Sequence, residues 1–276
     1  MLIKIIWGCF AALFLYFGSF LVYPNVEKLK KENPAKTAFM EYREKEWQRE
    51  GKNLKIKRRW VPLSRISPFL IKAVIIAEDD KFYQHEGFDF EAIQKAMEKD
   101  LKAGKFKAGG STISQQLVKN LYLSPSKNPV RKLREVMITR RLEAELPKRR
   151  ILELYLNVIE WGDGIFGVEA AARAYFSTSA AGLGAEPSAL LAGAIINPRL
   201  LNPGHPTPRL RRRQRLILGR MGHVVPPPEA VPSAAPAPNE ALPVPEPAPR
   251  AVEPAPSADP PPPEGGSGGS SSGRTG

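Results

Sequence analysis

EDDKFYQHEGFD, residues 78–89, joins two helical patterns, and about twenty residues later comes GGSTISQQLVKN, residues 109–120. The first string holds acids, a His, a Phe and a Gly; the second holds a Gly-Gly turn, two hydroxyls, two adjacent amides and a lysine. Core packing does not ask for such a mixture twice in one short region, so the pair reads as two lips of one polar cleft. Upstream, FLIKAVIIAEDD (69–80) follows Pro68 and carries an apolar stripe that ends in acids. Asp89 is placed to cap FEAIQKAMEKDLKAG, which closes on Gly104. Ser111 or Thr112 opens STISQQLVKNLYL, with Thr112 and Gln115 at capping-box spacing. Pro129 begins PVRKLREVMITRRLEAEL, which stops at Pro147. Further helices are expected at 148–158, 167–176, 186–196 and 206–221, separated by Gly-rich breaks such as WGDGIFG (161–167). Alternating patterns are scarce, KIKRRWVPL (55–63) being the best strand candidate, and the chain has no internal repeat. The fold class is mainly α.

At 276 residues and 42% hydrophobic, the chain can bury one substantial core. From 225 onward it is Pro, Ala, Glu, Ser and Gly without an aromatic, a composition that cannot offset its ordering entropy and reads as disordered; a Pro-rich docking segment is the alternative. The formal charge is +13; six acids and two bases give the tail −4 and leave the first 224 residues at +17. A charge of that size predicts an anionic partner: nucleic acid, an anionic membrane surface or a phosphate-bearing substrate.

Residues 5–23, IIWGCFAALFLYFGSFLVY, carry no charge. As a helix they nearly span about 30 Å of hydrocarbon. They read as a retained anchor. A cleavable signal peptide is the alternative, but the large residues Phe20, Leu21 and Val22 fill the cleavage positions. Lys28, Lys30 and Lys31 follow the span and only Lys4 and the amino terminus precede it, so charge leaves the side open. The single cysteine, Cys9, lies in the span and says little about compartment. Residues 24–60 are a charged connector, read as a solvated, partly helical stalk or as a basic surface against headgroups.

Glu78 ends an apolar helix just before a polar loop, and it reads either as a solvated helix-end acid or as a carboxyl that Val74, Ile75 and Phe82 would desolvate, raising its pKa toward what a general base needs. Asp79 and Asp80 read as solvated helix-end acids. His85 has no His or Cys companions for a zinc site, so it reads as a loop-shaping hydrogen-bonding residue. The start of the 111–123 helix reads either as a capped surface helix or as an anion site formed by backbone N–H groups with the Ser111 and Thr112 hydroxyls. Gln115 or Gln116 faces one cleft with Lys119, and Asn120 stands beside them. Arg131 and Glu135 are at i,i+4, either as a surface ion pair or, with Lys132, as a cluster that grips pyrophosphate directly or through a divalent cation. Glu153, Tyr155 and Asn157 read as structural.

These strings, with RKLRE (131–135), ELYLNVIEWGDGIFGVEAAARAYF (153–176) and EPSALLAGAIINPRLLNP (186–203), resemble the motif set of the peptidoglycan glycosyltransferase family, shared by class A penicillin-binding proteins and stand-alone enzymes. The resemblance covers roughly residues 58–221 and no transpeptidase domain. It implies a lysozyme-like helical glycosyltransferase domain at 58–222, behind a cytoplasmic N-terminus (1–4), a transmembrane helix (5–23) and a connector (24–57), with a tail at 223–276. It implies a single-pass protein of the bacterial cytoplasmic membrane whose catalytic domain is extracytoplasmic. Its substrates are then lipid II and the nascent glycan strand, joined with inversion, releasing undecaprenyl pyrophosphate. Glu78 corresponds to the base that deprotonates the N-acetylglucosamine 4-hydroxyl. Glu135 corresponds to the second essential acid and, with Lys119, Arg131 and Lys132, orients the pyrophosphate. Ser111, Gln116 and Lys127 match or lie near donor-site positions, and Ser114 stands where many relatives carry Thr. A divalent cation, Mg or Mn, is implied without an assigned ligand set; penicillin-binding proteins and division or elongation proteins are implied partners.

A muramidase or lytic transglycosylase shares paired acids but does not need the Lys119, Lys127, Arg131 and Lys132 set. A non-enzymatic cell-wall scaffold would not require Glu78 and Glu135 together. Nucleic acid is disfavoured, because aromatics are not interleaved with the basic runs.

Overall fold

A computed structural model describes residues 1–19, 23–104, 109–123, 125 and 129–222. Residues 20–22 of the expected span, Lys127 and the tail from 223 lie outside the described residues. The described residues all belong to the unit Met1–Val231. Among them run α1 (Leu2–Ser19), α2 (Ala38–Arg49), α3 (Pro68–Glu78), α4 (Phe90–Ala103), α5 (Ile113–Tyr122), α6 (Pro129–Glu145), α7 (Lys148–Val158), α8 (Val168–Phe176), α9 (Ala185–Ala194) and α10 (Pro208–Met221). The mainly helical expectation holds. No helix among the described residues is long and apolar enough to cross a membrane.

Local chemistry sets the helix limits. Ser67 accepts the Phe69 N–H ahead of Pro68 at the start of α3. Asp89 accepts the Ala92 N–H to open α4, and Gly104 ends it in the left-handed region at φ 60°. Thr112 and Gln115 form the reciprocal capping box of α5.

The main core gathers around α7. Ile151, Leu152, Leu154, Tyr155, Leu156 and Val158 are all fully buried, packed with residues of α3, α5, α6 and α9. Polar positions on this enclosed helix need partners. Asn157 accepts the Val61 N–H and donates to the Val61 carbonyl, both at 2.9 Å, while Glu153 accepts the Leu63 N–H at 2.9 Å. These bonds tether residues 61–63 to α7. The strand expected over 55–63 is therefore short: β1 (Lys57–Arg58) pairs parallel with β3 (Ile165–Phe166), and β2 (Glu160–Gly162) pairs antiparallel with β3. Pro62, which has no N–H to donate, could not continue the ladder. WGDGIFG, expected as a break, holds the β2–β3 turn, with Gly164 and Gly167 both at φ 78°.

The expected solvated stalk is corrected. Met40 and Trp47 of α2 are buried against Phe166 of β3. Arg43 donates Nε and Nη2 to Glu160 at 3.1 and 2.7 Å, and Trp47 donates Nε1 to Asp163 at 2.9 Å. The apolar side chains of α2 face the sheet and its charges pair across the junction, so the segment packs as part of the folded body.

Candidate active site

The two strings around α3 and α5 are not opposite lips of a cleft; they are bonded to one another. Asp79, the first residue after α3, accepts the Ile113 N–H at 2.9 Å. Thr112 Oγ1 donates to the Gly87 carbonyl at 2.7 Å. His85 Nδ1 accepts the Gly87 N–H at 3.1 Å, which leaves Nε2 to carry the proton that it shares with Asp79, 2.9 Å away. Asp79 is thus buried and bonded on two sides, unlike the solvated acid expected of it, whereas Asp80 is exposed and pairs with Arg220 at 2.7 Å. The N-terminus of α5 does hold an anion, but it is the chain's own carboxylate. Thr112, expected to bind an external anion, is buried in these bonds, and Ser111 remains exposed. His85 shapes the loop, as expected.

This bonding sets Glu78 at the end of α3 beside the outer face of α5. Gln116 Nε2 donates to Glu78 Oε2 at 2.8 Å, and Gln116 Oε1 accepts from the Tyr155 hydroxyl at 2.9 Å. Burial raises the Glu78 carboxyl above the usual carboxylate range; the Gln116 bond and the charges of Arg213 and Lys119 oppose that, and Asp79 adds to it. The sequence left open which amide faces Glu78, and the structure selects Gln116. Gln115 does not reach the acid: its Oε1 accepts the Thr112 N–H at 3.0 Å, so its part is the cap. Asn120 is buried and donates back to the Gln116 carbonyl at 2.8 Å, steadying the helix that carries Gln116. Ser114 is also buried, with its hydroxyl on Glu143.

Glu135, only 3% exposed, accepts from Arg131 at 2.7 Å and from Lys132 on the same helix. Lys119 lies within the field of both acids. Burial lowers the Lys119 pKa, Glu135 and Glu78 oppose the shift, and Arg131 and Lys132 reinforce it. The charges of Glu78 and Glu135 thus both act on one half-buried lysine. A half-buried cation of this kind favours an incoming anion.

Sequence reasoning missed Arg213. It sits on α10, expected only as a helix over 206–221, yet it is half-buried, donates Nε to the Gly193 carbonyl at 2.9 Å and bears on Glu78. No spacing signal links it to residue 78. Gly193 permits the approach: a Cβ there would meet Leu210 at 3.1 Å.

These side chains do not by themselves enclose a divalent cation. Both Glu135 oxygens already face cations, and no cluster of three His, Cys, Asp or Glu side chains occurs among the described residues.

Comparison with known proteins agrees with the geometry. The Transglycosylase family model matches residues 45–222, beginning inside α2, which bears out its place in the folded body. A biosynthetic peptidoglycan transglycosylase of Nitrosospira multiformis is 49% identical over 211 residues, 76% of this chain and 91% of the relative. The protein of the same name in Dechloromonas aromatica is 54% identical over 189 residues, covering 68% of this chain and 82% of the relative. That of Chromobacterium violaceum is 46% identical over 223 residues, covering 81% and 97%.

Proposed function

The chain belongs to the transglycosylase family, and we propose from its site that Glu78 is the general base and that the Glu135 cluster receives the leaving pyrophosphate. The enzyme is a peptidoglycan glycosyltransferase that polymerises lipid II into glycan strands for cell-wall synthesis. One observation carries the assignment of roles. A carboxyl with raised pKa is held by an oriented amide, and a half-buried lysine lies in the field of both it and a second acid that carries two cations.

The steps follow from those groups. The Glu78 carboxylate takes the proton of the acceptor N-acetylglucosamine 4-hydroxyl as that oxygen forms its bond to the donor anomeric carbon. The opposite bond, from that carbon to the pyrophosphate oxygen, breaks with its electron pair, which inverts the centre. Arg131, Lys132 and Lys119 meet the charge that accumulates on the leaving pyrophosphate, a role suited to fixed cations in a partly desolvated site. Glu135 aims two of those cations, Arg131 and Lys132. Protonated Glu78 then returns its proton to water. The raised pKa matters here because a base is most effective when its pKa approaches the working pH.

A lipid substrate keeps the enzyme at a membrane. The reading of residues 5–23 as a single-pass anchor, with the domain outside the cytoplasm, is supported by the exposed apolar side chains Ile3, Ile5, Trp7 and Phe10 of α1.

The test is incubation of the detergent-solubilised protein with labelled lipid II, wild type beside Glu78→Gln. Long strands from the wild type alone support the reading. Shortening of preformed glycan without synthesis would replace it with a lytic enzyme.

A further inference from the structure

Tyr155 is wholly buried in the core helix α7, yet its hydroxyl reaches out of the apolar cluster to a single polar group, the Gln116 side chain. A Gln side chain is nearly symmetric in shape, and its two ends differ only in hydrogen-bonding character. Facing a carboxylate, the nitrogen end attracts and the oxygen end repels. Some neighbour must therefore break the symmetry. Tyr155 does so: its hydroxyl donates to Oε1 at 2.9 Å, which turns Nε2 toward Glu78 Oε2 at 2.8 Å. Burial and the nearby Glu78 and Asp79 charges push the Tyr155 hydroxyl well above its ordinary pKa, so it remains a donor throughout the working range.

We propose that Tyr155 is a positioning residue for the proton transfer: acting through Gln116, it fixes one orientation of the amide and thereby one orientation of the Glu78 carboxylate toward the acceptor hydroxyl. Tyr155 comes from the buried core helix α7, and α3 and α5 bring the other two groups. The reaction centre is thereby referenced to the core and not to the loops around it. This inference rests on Glu78 being the base.

The consequence for pH follows from the groups that face Glu78. On its own turn Asp79 raises its pKa; from α5 and α10, Lys119 and Arg213 lower it; Gln116 lowers it through the hydrogen bond. Without the Tyr155 hydroxyl the amide is free to present its oxygen, the favourable bond weakens, and the carboxylate becomes harder to ionise.

The experiment measures kcat/KM for lipid II polymerisation from acid to neutral pH with full-length protein in detergent. The variants are Tyr155→Phe, Gln116→Leu, the double variant and Glu78→Gln, each with a melting temperature. Tyr155→Phe is expected to lower kcat/KM about 3–10-fold, the worth of one hydrogen bond, chiefly through kcat. It also moves the acid limb to higher pH. Gln116→Leu moves the limb further, and adding Tyr155→Phe to it moves the limb no more, because Tyr155 acts only through Gln116. An unmoved limb in Tyr155→Phe, or an equal shift in both backgrounds, overturns the proposal. If Tyr155→Phe lowers the melting temperature too far to assay, Gln116→Leu alone decides, and an unmoved limb there overturns it. Wild-type turnover by Glu78→Gln would instead sink the base assignment, whatever Tyr155 does.

Discussion

Glu78→Gln separates chemistry from folding more cleanly than any other change in this chain. The amide is the same size as the carboxyl, and its Oε1 can still accept from Gln116 Nε2, the bond that measures 2.8 Å in the native site. What it cannot do is take a proton. Removing a general base costs about 10²–10⁴-fold in rate, or about 2.7–5.5 kcal/mol of barrier. Stability should move the other way. Burial raises the Glu78 pKa above 4.5, so the folded state binds this proton more tightly than the unfolded chain does. The stabilisation is fully present below about pH 4.5 and is lost as pH rises through the folded value. Near neutral pH the wild type therefore carries a desolvated carboxylate that Gln lacks. The variant is expected to melt at or above wild type at pH 7.5, with the difference shrinking toward pH 4. Gel analysis of products from labelled lipid II reads the first effect, and thermal melts at the two pH values read the second. Near wild-type turnover would refute the base assignment. A melting temperature well below wild type at pH 7.5 would refute the account of the carboxyl's environment.

Glu135→Gln should cut polymerisation at least about 10-fold, because Arg131 and Lys132 lose the group that aims them; steady-state kinetics on lipid II will show whether KM rises as kcat falls. Its stability cost, read by denaturant titration, is expected at about 1–3 kcal/mol, below that of a fully enclosed pair because Lys132 is 49% exposed. Asp79→Asn should cost about 1–3 kcal/mol, since two carboxylate oxygens accept from the Ile113 N–H and the His85 Nε2–H, whereas the amide keeps one acceptor oxygen, no charge, and an NH2 that must face one of those donors; a thermal melt equal to wild type would contradict the capping role. Gly167→Ala should cost about 2 kcal/mol or more, because φ is 78° and a Cβ would lie 2.8 Å from the Asn157 carbonyl oxygen; denaturant titration checks it.

Much of this protein was legible in one dimension because the signals are local. Pro68, Asp89, Gly104, Thr112 with Gln115, Pro129 and Pro147 each act within a turn of their own position, and they mark helix limits that the fold keeps. The concentration of acids, amides and lysines in 78–89 and 109–120 marked the candidate site, and the i,i+4 spacing of Arg131 and Glu135 produced the ion pair seen at 2.7 Å. The sequence by itself thus determined the helical class, the element limits and the residue types gathered at the candidate site.

Tertiary structure decided which of those residues face one another. Helical period puts Gln115 and Gln116 on adjacent faces, but only packing shows that one caps α5 while the other lies between Glu78 and Tyr155. Asp79 and Asp80 are equivalent in sequence, yet one is buried against Ile113 and His85 and the other pairs with exposed Arg220. Arg213 reaches the Glu78 field from α10, which packs closely against Gly193 of α9. A propensity or a cap depends on neighbours within a turn, whereas an electrostatic environment sums contributions from every element that folds within reach. The second kind of information exists only once the chain has closed on itself.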